Sequence, residues 1–209
     1  MPTPDLLPYT PDDDANRLLA RDPLALLVGM LLDQQFPMER AFLSPSLLVG
    51  RLGGDHLDAQ AIAALDPEVL AAAFQGPPAL HRFPGSMAAR TQDLCRHIVE
   101  HHGGDAAAIW TTATDGDDLY RRLRALPGFG EAKARIFIAI VGRRLGAAPE
   151  GWERHAATWA SIADVETFAD VTTIRDAKRA AKAAAKAQAD GPGPAARPTR
   201  RRAAAGSGT

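Results

Sequence analysis

The segment of this chain best suited to chemistry is a glycine-containing turn, Leu126-Pro127-Gly128-Phe129-Gly130, between two apolar helical patterns. Glycine permits backbone angles that are barred to other residues, and its bare N–H group can approach a ligand closely. Because these N–H groups precede a predicted helix, they lie where the helix dipole favours an anion. The turn therefore predicts a binding site for a nucleic-acid phosphate.

The charge around this turn supports that interpretation. Residues 121–144 contain seven basic side chains and one acidic one, Glu131, which is a local balance of +6. An alternative is an ordinary helical hairpin whose glycines close a corner and whose arginines coat a solvated face. The complete five-residue turn, the apolar helices on both sides and the local charge together favour contact with DNA.

Composition describes a globular chain with a divided charge. The 209 residues are 46% hydrophobic, which supplies a core, and the net charge is −1. Residues 175–209 hold nine basic and two acidic side chains, a balance of +7, so residues 1–174 carry −8. We expect a folded domain over residues 1–190, a disordered basic tail over residues 191–209, and contact between the basic region and a polyanion. A solubilising appendage is the alternative.

Three lysines of the basic region are four residues apart in an alanine-rich helical pattern. This spacing places Lys178, Lys182 and Lys186 on one face of the predicted helix, where they can contact DNA phosphates.

Cysteine content and hydropathy limit the remaining classes of function. The only cysteine, Cys95, cannot form an internal disulfide or by itself hold a zinc ion or an iron–sulfur cluster. No basic region followed by an apolar run opens the chain, and no window is long enough to span a bilayer. We expect a cytoplasmic, nucleoid-associated protein with no resident metal and no contact with a membrane.

Hydrophobic periodicity predicts an all-α fold made of many short helices, with no convincing strand. Asp22 is a predicted N-cap, and Pro23 occupies the first position of the helix that follows. The turn described above joins two helices in a hairpin over residues 119–145. Other helical windows cover residues 44–51, 58–65, 67–74, 86–101 and 171–189.

Over residues 20–155 the chain resembles the helix-hairpin-helix (HhH-GPD) DNA glycosylase superfamily of base excision repair. Three places carry the resemblance. Leu126 to Gly130 is similar to the family's Leu-Pro-Gly-x-Gly hairpin, and Leu31-Leu32-Asp33-Gln34-Gln35 is similar to a helix end with the sequence Leu-Ser-x-Gln. Glu150 falls at the place of the catalytic aspartate.

The resemblance implies a two-lobed helical fold with lobe junctions near residues 22 and 155. It implies a monomeric protein that binds lesion-containing duplex DNA and hydrolyses the N-glycosidic bond of a damaged or mispaired base flipped from the helix. Gly128, Gly130, Lys133 and Arg135 would contact the DNA backbone, and Gln35 would fill the gap left by the extruded nucleotide. A monovalent cation at the hairpin carbonyls is also implied.

Glu150 would assist the hydrolysis, and Trp152 would line the base pocket, because an electron-poor alkylated base gains from stacking on an electron-rich ring. The lysine of strand-cleaving relatives corresponds to Ala132, and Lys133 is turned about 100° away on the helix. We therefore expect base removal without lyase activity.

Two other functions remain open at this stage. One is a DNA-binding module that has kept the scaffold, lost the chemistry and recognises distorted duplex; the altered sequence around Glu150 favours it. The other is a helical protein-interaction domain with no role on DNA.

Deletion of residues 176–209 tests the basic region, because it removes eight of the nine cations. We expect weaker duplex binding at low salt and a shallower dependence of log Kd on log salt, by about 0.9 for each phosphate that the shortened protein no longer neutralises. Equilibrium titrations from 50 to 200 mM salt measure both quantities. Equal slopes for the full-length and shortened proteins would assign the region to solubility instead.

Overall fold

The computed structural model describes residues 4–189, apart from several side chains of the last helix, and the described part is helical without a strand. The predicted all-α class is thus confirmed. The α-helices are α1 Asp13–Arg21, α2 Pro23–Leu32, α3 Met38–Leu52, α4 Ala59–Ala64, α5 Pro67–Gln75, α6 Pro84–His102, α7 Ala108–Thr111, α8 Gly116–Ala125, α9 Glu131–Ala139 and α10 Phe168–Ala189. A π-helical segment, Ile140–Arg144, continues α9, and two 3₁₀ turns cover Trp152–Arg154 and Ile162–Asp164.

Local sequence signals fix the start of α2 as predicted. The Asp22 carboxylate accepts a hydrogen bond from the Ala25 N–H at 3.0 Å, and Pro23 occupies the first turn, where no N–H partner is needed. The second oxygen of Asp22 accepts from the Leu57 N–H at 2.8 Å. One buried carboxylate therefore both caps α2 and ties it to the loop before α4.

The centre of the core is α2. Every residue from Leu24 to Leu32 is buried, and the helix packs mainly against α3. At Gly29 the two helices come so close that an added Cβ would lie 2.6 Å from Cδ1 of Phe42, a ring with no solvent exposure. Glycine is required there by close approach, because a helix buried on all sides leaves no space for its neighbour to move.

Three helical elements differ from the sequence prediction. Helix α3 begins at Met38, not near residue 44, and contains Pro45 in its interior. Helix α7 was not expected at all. The second helix of the predicted hairpin is divided, because backbone hydrogen bonding changes to the π pattern at Ile140.

The chain divides into two compact units after Arg175. The predicted tail, residues 191–209, lies outside the described residues. The division into two lobes near residues 22 and 155 is not tested by this partition and stays a prediction. Within residues 4–189, no helix combines the length and hydrophobicity needed to cross a membrane.

Two helical glycines provide a matched test of the packing of α2. Gly29→Ala is expected to lower the free energy of unfolding by about 1–3 kcal/mol, because the methyl group collides with Phe42. Gly50→Ala in α3 meets no atom within 4 Å and should raise it by about 0.4–1 kcal/mol. Urea unfolding of both variants measures the difference, and an increase for Gly29→Ala would show that the α2–α3 contact is loose.

Candidate nucleic-acid interface

The predicted hairpin is present between α8 and α9. Gly128 has a φ of +81°, a conformation that favours glycine, and the Phe129 N–H donates to the Leu126 carbonyl at 3.1 Å. Phe129 is buried, and its ring meets that of Phe137 edge-on at 6.0 Å. The ring anchors the turn in the core, while Gly128 and Gly130 stay exposed on either side of it.

The backbone donors of this hairpin point to a free surface. Within the described residues, the N–H groups of Gly128 and Gly130 have no acceptor, and α9 has no side-chain cap at its N-terminus. A Cβ added at Gly130 would meet nothing within 4 Å. These N–H groups, at the positive end of a helix, can therefore donate hydrogen bonds to an anion without breaking an internal bond.

The hairpin lies directly against the end of α2. A Cβ added at Gly128 would lie 2.4 Å from Cδ1 of Leu31, so the bare glycine backbone packs on this side chain. The Lys133 ammonium donates to the Leu31 carbonyl at 2.6 Å, which joins residues 102 positions apart. The structure thus places two of the segments selected from the sequence side by side.

Lys133 is half-buried at this junction. Burial disfavours the ammonium form and lowers the pKa of Lys133 from 10.5 to about 8, against the opposing influence of the nearby Asp33 carboxylate. Arg90 contributes a smaller lowering of the same pKa. The interface therefore contains a cation whose charge is only partly hydrated.

Gln35 has an unusual backbone conformation at the end of α2. Its φ is +52°, and it is the only non-glycine residue with positive φ among residues 4–189. Such a conformation costs about 1–3 kcal/mol and persists only when its surroundings impose it. The Gln35 side chain is exposed and has no hydrogen bond within the described part of the chain, so it is available to a partner.

The neighbouring Gln34 holds this loop in place. Its Nε2 donates to the Leu31 carbonyl at 3.1 Å, its Oε1 accepts from Arg90 at 3.3 Å, and its carbonyl accepts from His81 Nε2 at 3.0 Å. Gln34 is thus a structural residue, and Gln35 is the one presented at the surface.

His81 connects the Gln35 loop to a second exposed tip. The Phe83 N–H donates to His81 Nδ1 at 3.0 Å, so the neutral ring must carry its proton on Nε2, which donates to Gln34. Burial lowers the pKa of His81, which favours this neutral form. Phe83 is 47% exposed beside it. The coupling of His81 to Gln34 is not visible in the sequence, because the two residues are 47 positions apart.

Arg135 extends the interface along α9. Its guanidinium lies 5.7 Å from the ring of Trp159 and donates to the Ala156 carbonyl at 3.4 Å. Its own carbonyl accepts from the Ala157 N–H at 2.9 Å. The chain therefore returns to α9 at residues 156–159 and brings an aromatic ring, 42% exposed, beside a predicted DNA contact.

Glu150 does not lie with these residues. Its carbonyl accepts from the N–H of Gly116, the first residue of α8, at 2.9 Å. The hairpin follows the other end of α8, about 14 Å away along a ten-residue helix. The exposed Glu150 is therefore separated from the hairpin, because the turn after the π-helical segment leads first to the start of α8.

Trp152 also lies away from the hairpin surface. A Cβ added at Gly142 would come within 2.6 Å of the Trp152 ring, which is partly buried against the hydrophobic core. This tryptophan contributes to packing, whereas a base pocket requires an accessible ring. The accessible ring is Trp159.

Asp33 is the carboxylate that accompanies Lys133. It caps the C-terminus of α2, with its N–H bonded to the Gly29 carbonyl at 3.1 Å, and it is half-buried. It is two residues from Leu31, which binds the Lys133 ammonium, and its charge raises the pKa of that lysine. Sequence reasoning passed over Asp33 because the family pattern has serine at that place.

Across residues 4–189, no group of three or more His, Cys, Asp or Glu side chains is arranged to hold a metal ion. A monovalent cation at the hairpin carbonyls stays a prediction. The side chains of Lys178, Lys182 and Lys186 lie outside the described part of the structure.

Comparisons of the chain with protein-family models, with curated proteins and with solved structures gave no match. The interpretation of the interface therefore depends on its own geometry.

The pKa of Lys133 can be measured without ambiguity, because the chain has only four lysines. Replacing Lys178, Lys182 and Lys186 by arginine keeps the net charge and leaves Lys133 as the only lysine. We expect its ¹³Cε resonance to titrate near pH 8 in the folded protein and near 10.5 in urea.

The lowered pKa also affects stability. Between about pH 8 and 10.5 the unfolded chain binds more protons at this lysine, so the Lys133 contribution to the free energy of unfolding rises with pH across that window. Urea unfolding of the single-lysine protein and its Lys133→Gln derivative measures this difference. A folded-state midpoint near 10.5 would show that the ammonium is fully hydrated.

Proposed function

We propose that this protein is a DNA repair protein that binds lesion-containing duplex DNA and removes a damaged or mispaired base by hydrolysis. The observation that carries the proposal is the contact of Lys133 with the Leu31 carbonyl. Through it, a phosphate-binding hairpin and an exposed, conformationally strained glutamine share one surface. Base removal needs both, because the backbone must be gripped while one nucleotide leaves the stack.

The two parts of this surface have complementary roles in the proposal. The N–H groups at Gly128 and Gly130 bind a backbone phosphate at the N-terminus of α9. Gln35 enters the gap that opens when the nucleotide is extruded, and its fixed backbone limits the entropy cost of insertion. Phe83, tied to the same loop through His81, contacts the duplex next to Gln35.

Hydrolysis also needs a carboxylate near the extruded sugar. A carboxylate stabilises the oxocarbenium-like transition state and accepts a proton from the attacking water. We assign this role to Asp33, because it is next to the Gln loop and its charge acts on Lys133, whereas Glu150 lies at the far end of α8. The product is an abasic site in an uncut strand, since the proposed route contains no covalent lysine intermediate.

A second candidate is a DNA-binding module without chemistry, which recognises distorted duplex through the same hairpin. The position of Glu150, away from the hairpin, specifically favours it. Both candidates require binding to DNA, and they differ in whether the base is released.

Incubation with duplexes carrying a panel of lesions, followed by alkaline cleavage at abasic sites, distinguishes the two functions. We expect the wild type to give cleaved DNA strands only after alkali treatment. Borohydride should trap no covalent protein–DNA adduct. Asp33→Asn should lower the rate by about 10²- to 10⁴-fold, because it removes the carboxylate charge. Duplex affinity should stay within about twofold if only the chemical step is impaired.

Glu150→Gln is the matched control, since it removes one carboxylate at the opposite end of α8. It should retain wild-type activity. If instead Glu150→Gln loses activity and Asp33→Asn keeps it, the assignment to Asp33 is wrong. If the wild type binds lesion duplexes but releases no base, the protein is the non-catalytic module.

A further inference from the structure

We propose that Trp159 and Arg135 form the base-contacting wall of this interface and select neutral bases over cationic, alkylated ones. This inference rests on the proposed function and specifies its substrate class as bases that leave the sugar as anions. The inference depends on three features: the exposed ring of Trp159, the neighbouring cation of Arg135 and an open face of α9.

Trp159 is the tryptophan with an accessible ring. It is 42% exposed, while Trp110 is only 4% exposed and Trp152 is packed against Gly142. An aromatic side chain held at the surface forgoes the stabilisation of burial, and such rings are used to stack nucleobases.

The position of Trp159 is fixed relative to the hairpin. The Ala157 N–H donates to the Arg135 carbonyl, and the Arg135 guanidinium donates to the Ala156 carbonyl. These two hydrogen bonds tie the segment before Trp159 to α9. Arg135 is five residues after Gly130, which corresponds to about 7.5 Å along the helix. The backbone of Arg135 is therefore about 1.4 helical turns beyond the hairpin, and its guanidinium lies beside the Trp159 ring.

A small side chain leaves room next to this wall. Ala132 is exposed, and it is three residues before Arg135, on the same side of α9. Lys133 borders the opposite side of Ala132, where it contacts the end of α2. The open face is thus flanked by two cations and by the ring of Trp159.

The charge of Arg135 is incompletely compensated. Its closest carboxylate is that of Glu131, at 3.8 Å, and this side chain is 66% exposed. Its Nε–H is buried and has no acceptor within residues 4–189. On the Lys133 side, Asp33 offsets part of the positive charge. The cation next to Trp159 is therefore paired only with a carboxylate at the solvent-exposed surface, where water weakens the ion pair.

The Arg135 cation beside Trp159 distinguishes two kinds of leaving group. When the C1′–N bond of a neutral base breaks, the electron pair stays on the base nitrogen and the base leaves as an anion, which nearby cations stabilise. Water then bonds to C1′ and gives one proton to the carboxylate. A cationic alkylated base leaves as a neutral molecule, gains no such stabilisation, and is repelled by Arg135 before the bond breaks.

The expected size of the preference for neutral bases follows from the geometry. A base stacked on the face of Trp159 opposite Arg135 would lie about 3.5 Å from the ring, and the central guanidinium carbon of Arg135 lies 5.7 Å from the ring centroid. At the resulting separation of about 9 Å, repulsion by Arg135 disfavours a cationic base by about 2-fold in water and about 20-fold at the lower effective dielectric of a protein surface.

The test compares duplexes that differ in one base: uracil, hypoxanthine or 8-oxoguanine as neutral lesions, and 7-methylguanine as the cationic one. Release rates and Kd values are measured for the full-length wild type, Arg135→Gln and Arg124→Gln. We expect a neutral lesion to be preferred by the wild type, and the preference to fall about 2- to 20-fold in Arg135→Gln. Arg124→Gln removes an exposed arginine of α8 and should leave the preference unchanged.

Stacking is tested separately at Trp159. Trp159→Ala should weaken binding to the preferred lesion duplex by about 5- to 150-fold, with little effect on undamaged duplex, and Trp159→Phe should recover part of the affinity. A merely structural role would change both affinities together.

The outcomes separate this inference from the proposed function. If base is released but 7-methylguanine is preferred, or if Arg135→Gln leaves the preference unchanged, the selection by charge is overturned while the enzyme stands. If no base is released but neutral-lesion duplexes bind more tightly and Arg135→Gln removes the difference, the selection stands and the catalytic proposal fails. Equal binding to all duplexes with no release overturns both.

Discussion

The hydrogen bond between the Lys133 ammonium and the Leu31 carbonyl is the interaction on which the interface depends. The last carbonyls of a helix have no partner within the helix, and a cation there both satisfies one of them and complements the helix dipole. Here that cation comes from the first turn of α9, immediately after the hairpin. The same bond thus occupies a carbonyl at the end of α2, joins the hairpin to that helix and leaves a partly dehydrated charge at the surface.

The side chains that hold the Gln35 loop are hydrogen-bonded internally, while the hairpin N–H groups of Gly128 and Gly130 and the Gln35 side chain have no partner within residues 4–189. Gln34, His81 and Arg90 form a network that holds the loop, and that network frees Gln35 from any structural duty. A loop fixed in this way can present a residue with positive φ without collapsing to a relaxed conformation. Preorganisation of this kind reduces the entropy cost of ordering a surface when it binds a partner.

Counting charges along the chain overstates the positive potential near the hairpin. Arg122 binds Asp118 at 2.9 Å and also donates to Thr112, and Arg143 pairs with Asp164 and the Ala157 carbonyl, so both serve the fold. The cations that remain at the interface are fewer, and two of them, Lys133 and Arg135, flank the exposed Ala132. Their position next to the turn matters more than the local sum, because screening confines electrostatic attraction to about 10 Å.

Local features could be predicted from the order of residues alone. The Asp22 cap, the glycine hairpin and most helices follow from interactions within a few residues, which short segments encode directly. Family spacing pointed to Glu150 and Trp152, but spacing does not say where a loop goes after a helix changes to the π pattern at Ile140. That path leads to the start of α8 and then back to Arg135. Tertiary packing therefore decides that Asp33 lies near Lys133 and that Trp159 lies near Arg135. Side chains distant in sequence meet only when the core fixes the helices that carry them.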